Sequence, residues 1–113
     1  MNLPEQTKEV LEKARRTYGD TAQILVAIEE LNELACVCAK YPRYKDKHRA
    51  VEELHDKAVD ELADVYIVLD HIQAIFGIPS DQIWNRVLKK GDRVRRWLQN
   101  SNDMDLTTVD RKV

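Results

Sequence analysis

Apolar residues recur at helical intervals along most of the chain, the pattern of α-helices with one covered face. A first helix is predicted from just after Pro4 to about residue 18, with Val10, Leu11 and Ala14 on one side and Gly19 as its stop. Asp20 can cap a second helix over about 21–39, with Gln23 three residues on in a capping-box-like arrangement. Its apolar face reads Ile24, Ile28, Leu31, Ala35 and Cys38. The basic stretch 41–47 contains Pro42 and reads as a loop. A third, longer helix is predicted over about 48–76, with Ala58, Leu62, Val65, Leu69, Ile72 and Phe76 in register, broken by Gly77 and Pro79. Ser80 can cap a fourth over about 80–98, carrying Ile83, Val87, Val94 and Leu98. The expected fold is all-α: an antiparallel helical bundle of about four helices, with one domain over 1–99 and a polar tail over 100–113.

Composition agrees with this reading and narrows the function. Apolar residues at 43% and charged residues at 34%, with three Gly and three Pro, suit a helical globular chain rather than a disordered or all-β one. At 113 residues the core is modest, and helical folds of this size commonly complete it with another copy, so a homo-oligomer (dimer or tetramer) is expected. No apolar run approaches the ~18–20 residues that span a bilayer, and the start lacks a basic-then-apolar leader, which predicts a cytoplasmic protein with no membrane partner. A net charge of −2 offers no electrostatic reason for nucleic-acid binding. Cys36 and Cys38 point in nearly opposite directions on a helix and read as small buried hydrophobes.

The acidic residues break the ordinary helical pattern. Val26, Glu30, Glu33 and Val37 form one row beside the apolar stripe, flanked by Ala27 and Leu34. Glu30 and Glu33 are a turn apart and can converge. The third helix repeats the device with Glu61 and Asp64. From Leu62 to Leu69 that helix is apolar almost all round, and Asp64 interrupts the run, so a largely buried Asp64 is expected. A buried carboxylate is costly unless neutralised, paired or bound to a cation. Isolated acidic pairs such as Glu9 with Glu12 are ordinary solvated surface, but two pairs in apolar surroundings on neighbouring helices suggest a shared cavity. Hard oxygen ligands of this kind suit Mg²⁺ or Mn²⁺ rather than zinc.

These residues also resemble a known family. Glu29-Glu30-Leu31-Asn32-Glu33 matches the EExxE motif of the MazG-like nucleotide pyrophosphohydrolases, and Glu61-Leu62-Ala63-Asp64 matches their ExxD motif. Residues 34–60 lie between the two, a spacing typical of that family. Lys40-Tyr41-Pro42-Arg43 and Lys90-Gly91-Asp92-Arg93 look like segments of its compact members, and the likeness covers roughly residues 20–98. The resemblance implies an oligomeric all-α enzyme that hydrolyses (deoxy)nucleoside triphosphates to monophosphate and pyrophosphate, in nucleotide-pool housekeeping. By motif position, Glu30, Glu33, Glu61 and Asp64 would be its catalytic metal ligands, while the role of Glu29 stays open. Many members carry Asn in the final helix near the position of Lys90-Gly91, where this chain has none.

Cationic side chains would complete a phosphate clamp, and the candidates are Lys90, Arg93, Lys40 and Arg43. Lys90 and Arg93 suit a basic surface on an acidic protein equally well, and Lys40 and Arg43 suit it better than a clamp. Tyr66, close to Asp64, is the candidate for base stacking, with Trp84 and Tyr41 as alternatives, although Trp84 and Trp97 read better as core. His71 reads as a satisfied core or interface histidine. Two other readings stand beside the triphosphate hydrolase: a non-catalytic helical dimer serving as an interaction module, and a hydrolase of the same fold acting on another pyrophosphate-containing substrate.

Overall fold

The computed structural model describes residues 3–46 and 52–101. Among these residues it contains four α-helices and no strand: α1 (Glu5–Tyr18), α2 (Asp20–Asp46), α3 (Glu52–Phe76) and α4 (Ser80–Asn100). The all-α class is as expected. None of these helices is by itself long and apolar enough to cross a membrane.

Glycine and proline set the helix ends, with two departures from expectation. Gly19, at φ +89, ends α1 by donating its N–H to the Arg15 carbonyl at 2.8 Å, a backbone conformation that side chains disfavour. Its own carbonyl accepts the Gln23 N–H at 3.4 Å, so Gly19 precedes α2 and Asp20 is the first helical residue rather than the cap. Likewise Pro79 stands in the cap position of α4 with no side-chain cap hydrogen bond, and Ser80 is already helical. The larger correction concerns Pro42. The expected loop over 41–47 is helical through Asp46, with Pro42 inside α2. Proline removes the bond that position 42 would give to the Cys38 carbonyl, but near a helix end the turns on either side persist. Residue 47 and the expected start of the third helix at 48–51 lie outside the described residues, as does the tail from 102 onward.

By its contacts the chain divides into two compact units, residues 1–77 and 78–113. In the first, α2 and α3 pack along their length and α1 lies against both. The pair is antiparallel: Glu30 and Glu33 meet Glu61 and Asp64, while Val37 and Tyr41 share a groove with Leu54 and Ala58. The interior row on α2 is Gln23, Ala27, Glu30, Leu34 and Val37, and on α3 it is Leu54, Ala58, Glu61, Val65 and Val68, all buried or half-buried. Both follow the alternating four-three spacing of helices packed side by side.

This interior corrects the expected core. The stripe of Ile28, Leu31, Ala35 and Cys38 is exposed, as are Leu62, Leu69 and Phe76 on α3, and Val10 on α1. The reason is a one-residue offset, which turns a helix by ~100°. The α2 stripe lies one residue beyond its interior row, as do Leu62 and Leu69 on α3, whereas Ala58 and Val65 of the expected α3 stripe are interior. In an antiparallel pair that rotation carries the offset residues of both helices to the same side. Cys36 and Cys38, expected to be buried, are free and exposed.

In the second unit α4 is amphipathic, yet none of its residues is buried and Trp84 is half-exposed, against the expectation that it is core. Its polar side carries an ion-pair cluster in which Asp92 accepts from Arg95 one turn on and pairs with Arg96 at 3.2 Å. The two guanidiniums, Arg95 foremost, hold the Asp92 carboxyl below the usual range.

Candidate metal centre

Four carboxylates meet midway along the α2–α3 pair. Each of Glu30, Glu33, Glu61 and Asp64 offers one oxygen, and these oxygens lie within 4.8 Å of one another. Local helix geometry supplies the convergence: within each pair the residues are one turn apart, and the antiparallel register sets Glu30 opposite Asp64 and Glu33 opposite Glu61.

Burial divides the four unequally. Glu61 is 3% exposed, Glu30 and Asp64 are half-buried, and Glu33 is exposed. The sealed carboxylate is therefore Glu61, not Asp64 as expected. Glu61 belongs to the interior row with Val65 and Val68, whereas Asp64 sits a turn toward the rim. An apolar sequence context alone cannot separate these positions, because the apolar neighbours of Asp64 include Leu62 and Tyr66, themselves exposed.

The site is electrostatically frustrated without a cation. The Oε2 atoms of Glu30 and Glu61 are buried and have no hydrogen-bond partner. Burial, then the neighbouring Asp64 and Glu33, pushes the Glu30 carboxyl above its ordinary range. The Glu33 carboxyl is raised chiefly by its close pairing with the Glu61 carboxylate, with desolvation adding to it. Lys57 gives partial relief, its Nζ lying 3.0 Å from Glu61 Oε1. That pair in turn raises the Lys57 pKa above the usual lysine range.

The donor set suits a hard divalent cation: oxygen ligands only, excess negative charge and orphaned buried lone pairs. Such a cluster in the interior row is costly unless its charge is offset, and a bound cation is one group that would offset it.

The remaining candidates fall elsewhere. Lys40 and Arg43 continue along α2, roughly 10 and 15 Å beyond Glu33 along the helix axis, and are not part of the cluster. Lys90 and Arg93 are on α4, in the second unit. Tyr66 is half-exposed on the outward apolar stripe of α3, two residues beyond Asp64 and turned away from the interior row. Tyr41 and Cys38 line the groove shared with Leu54, His55 and Ala58 at the far end of the pair, an apolar recess distinct from the acidic centre.

His71 is buried, as expected, and its partner is Arg15 of α1, with Nη1 3.0 Å from His71 Nδ1 and 3.4 Å from Asp70. A guanidinium only donates, so Nδ1 is the acceptor and the ring is neutral. Desolvation, then Arg15, lowers the His71 pKa. Sequence reading missed Arg15 and Lys57. The second was legible, since a lysine four residues before a glutamate on one helix is a standard ion-pair spacing.

Compared with protein-family models, curated proteins and solved structures, the chain matches none.

Proposed function

We propose that the protein is a Mg²⁺-dependent hydrolase of nucleoside triphosphates, releasing monophosphate and pyrophosphate, with Mn²⁺ as an alternative ion. The observation that carries the reading is the four-carboxylate centre with two buried, unpartnered oxygens. The restriction to triphosphates rests on the likeness of its EExxE and ExxD segments to the MazG-like pyrophosphohydrolases. Glu30, Glu33, Glu61 and Asp64 would hold the cation. When bound, it would screen the phosphate charge, favour the pyrophosphate leaving group and make a bound water more acidic. The protein's own share is to fix four oxygens on two packed helices, so that little reorganisation is needed when the anion arrives. Lys90 and Arg93 remain candidates for contacts to the phosphates, and Tyr66 for stacking.

We also infer a homo-oligomer. Ile28, Leu31, Val59, Leu62, Tyr66, Leu69 and Phe76 are each between 39% and 67% exposed. Together they form an exposed apolar face on the α2–α3 pair, the kind of surface that marks a contact between subunits. A second copy of the same pair, laid face to face, would complete a four-helix packing unit.

The test of the activity is to incubate the protein with Mg²⁺ and each common NTP and dNTP in ¹⁸O-water. Monophosphate and pyrophosphate are the expected products, with the label on the monophosphate. Orthophosphate with accumulating diphosphate would overturn the assignment, and no turnover of any nucleotide would favour the interaction-module reading.

A further inference from the structure

Among the described residues of the first unit, Lys57 is a cation that reaches the acidic centre. It stands one turn before Glu61 on α3, its side chain is 59% exposed, and its ammonium rests on the Oε1 of a carboxylate whose side chain is 4% exposed. The other oxygen of that carboxylate is buried and unpartnered. One end of the lysine is thus rooted at the rim of the site while its charge satisfies half of the sealed ligand. An ammonium on a flexible four-carbon stem is a mobile point charge, unlike a guanidinium locked in a fork.

We propose that Lys57 is a placeholder cation, which holds Glu61 in the cation-free protein and is handed over to the phosphate of the ligand when a divalent ion enters. The proposal rests on the reading of the four carboxylates as a cation site. Its logic is electrostatic. Without an ion, four clustered carboxylates draw the ammonium in and make Glu61 Oε1 its best acceptor. With a divalent charge beside the same oxygen, the attraction is cancelled and like charges repel, so Lys57 leaves Oε1. The ammonium then lies at the rim, where the oxygens of an arriving phosphate would be its next acceptors. The handover makes binding sequential: the cation first, the phosphate second. It also explains why a lysine rather than an arginine is suited to position 57, since the group must let go of one acceptor and take another.

The experiment compares the full-length protein with its Lys57→Met and Lys57→Arg variants, using Mn²⁺ alone and then methylenediphosphonate on the Mn²⁺-loaded proteins, both by titration calorimetry. Position 57 is on an exposed helix surface and methionine keeps the helix and stem, so both variants should fold, which melting curves will check. Lys57→Met should bind Mn²⁺ about three- to tenfold more tightly, since a competitor for Glu61 is gone. Once loaded, it should bind methylenediphosphonate about tenfold more weakly, with Lys57→Arg recovering part of that loss. Weaker Mn²⁺ binding by Lys57→Met would show that Lys57 merely orients Glu61, and would overturn the proposal. Tighter Mn²⁺ binding with unchanged diphosphonate binding would reduce Lys57 to a counter-charge and overturn it equally. Absence of Mn²⁺ binding by the wild type would instead remove the cation site itself, and the proposal with it.

Discussion

Replacing Glu61 by Gln should stabilise the cation-free protein and abolish its response to Mn²⁺. Glu61 is the sealed member of a cluster whose oxygens lie within 4.8 Å of one another. Two like charges at that distance repel by about 1 kcal/mol at the dielectric of water and about 3 kcal/mol at an effective value of 20. Loss of the Lys57 ion pair offsets part of the relief. A net gain of about 1 kcal/mol remains, or roughly 4–8 °C in melting temperature for a domain of this size. The Gln amide adds a donor beside the unpartnered Oε2 of Glu30, which works in the same direction. With Mn²⁺ at a hundred times its dissociation constant, the wild type should gain about 2.7 kcal/mol, whereas the variant should not move. The two melting curves therefore change order when the ion is added, which calorimetric or fluorescence melting will read. The pH dependence supplies an internal control. The folded-state pKa values of Glu30 and Glu33 are raised, so the folded protein binds more protons than the unfolded chain over the window above their ordinary value. Their repulsion is then absent at low pH and grows as pH rises through the folded pKa values, and the advantage of the variant should shrink on acidification. A variant less stable than the wild type in chelator at pH 7 would refute the argument, because Glu61 would then be net stabilising without any ion.

Two further outcomes follow from other parts of the molecule. His71 has a lowered folded-state pKa, so below about pH 6.5, the ordinary histidine value, the unfolded chain takes up a proton that the folded state resists. Stability should thus fall with acidification from that point downward, and His71→Asn, whose amide oxygen can still accept from Arg15, should flatten this limb in melting curves recorded across pH; an unchanged slope would show that His71 is not its source. On the apolar face, Leu31→Glu with Leu62→Glu should convert an oligomer to monomer in sedimentation velocity while leaving helicity in place, and a wild type that already sediments as a monomer at micromolar concentration would remove the inferred interface.

The sequence by itself determined the breaks between α1 and α2 and between α3 and α4, because their punctuation is local. Gly19 and Gly77 adopt positive φ at helix ends, and Pro4 and Pro79 stand just before α1 and α4, where a missing N–H does no harm. The grouping of Glu30 with Glu33 and of Glu61 with Asp64 was equally legible, since residues three apart on a helix are neighbours whatever surrounds it. Pro42 shows the limit of local rules: a helix breaker by propensity, it lies inside α2 because its effect is confined to one bond near the end. Tertiary structure decided which face of each long helix turns inward. On α3 two adjacent rows are both apolar enough to be core, one through Val65 and Val68, the other through Leu62 and Leu69, and periodicity cannot choose between rows one residue apart. Packing against α2 chose the first, and the register of that packing brings the two acidic pairs together. The same choice sealed Glu61 rather than Asp64, set Lys57 at the rim, and left the second row outward as the apolar face of the subunit.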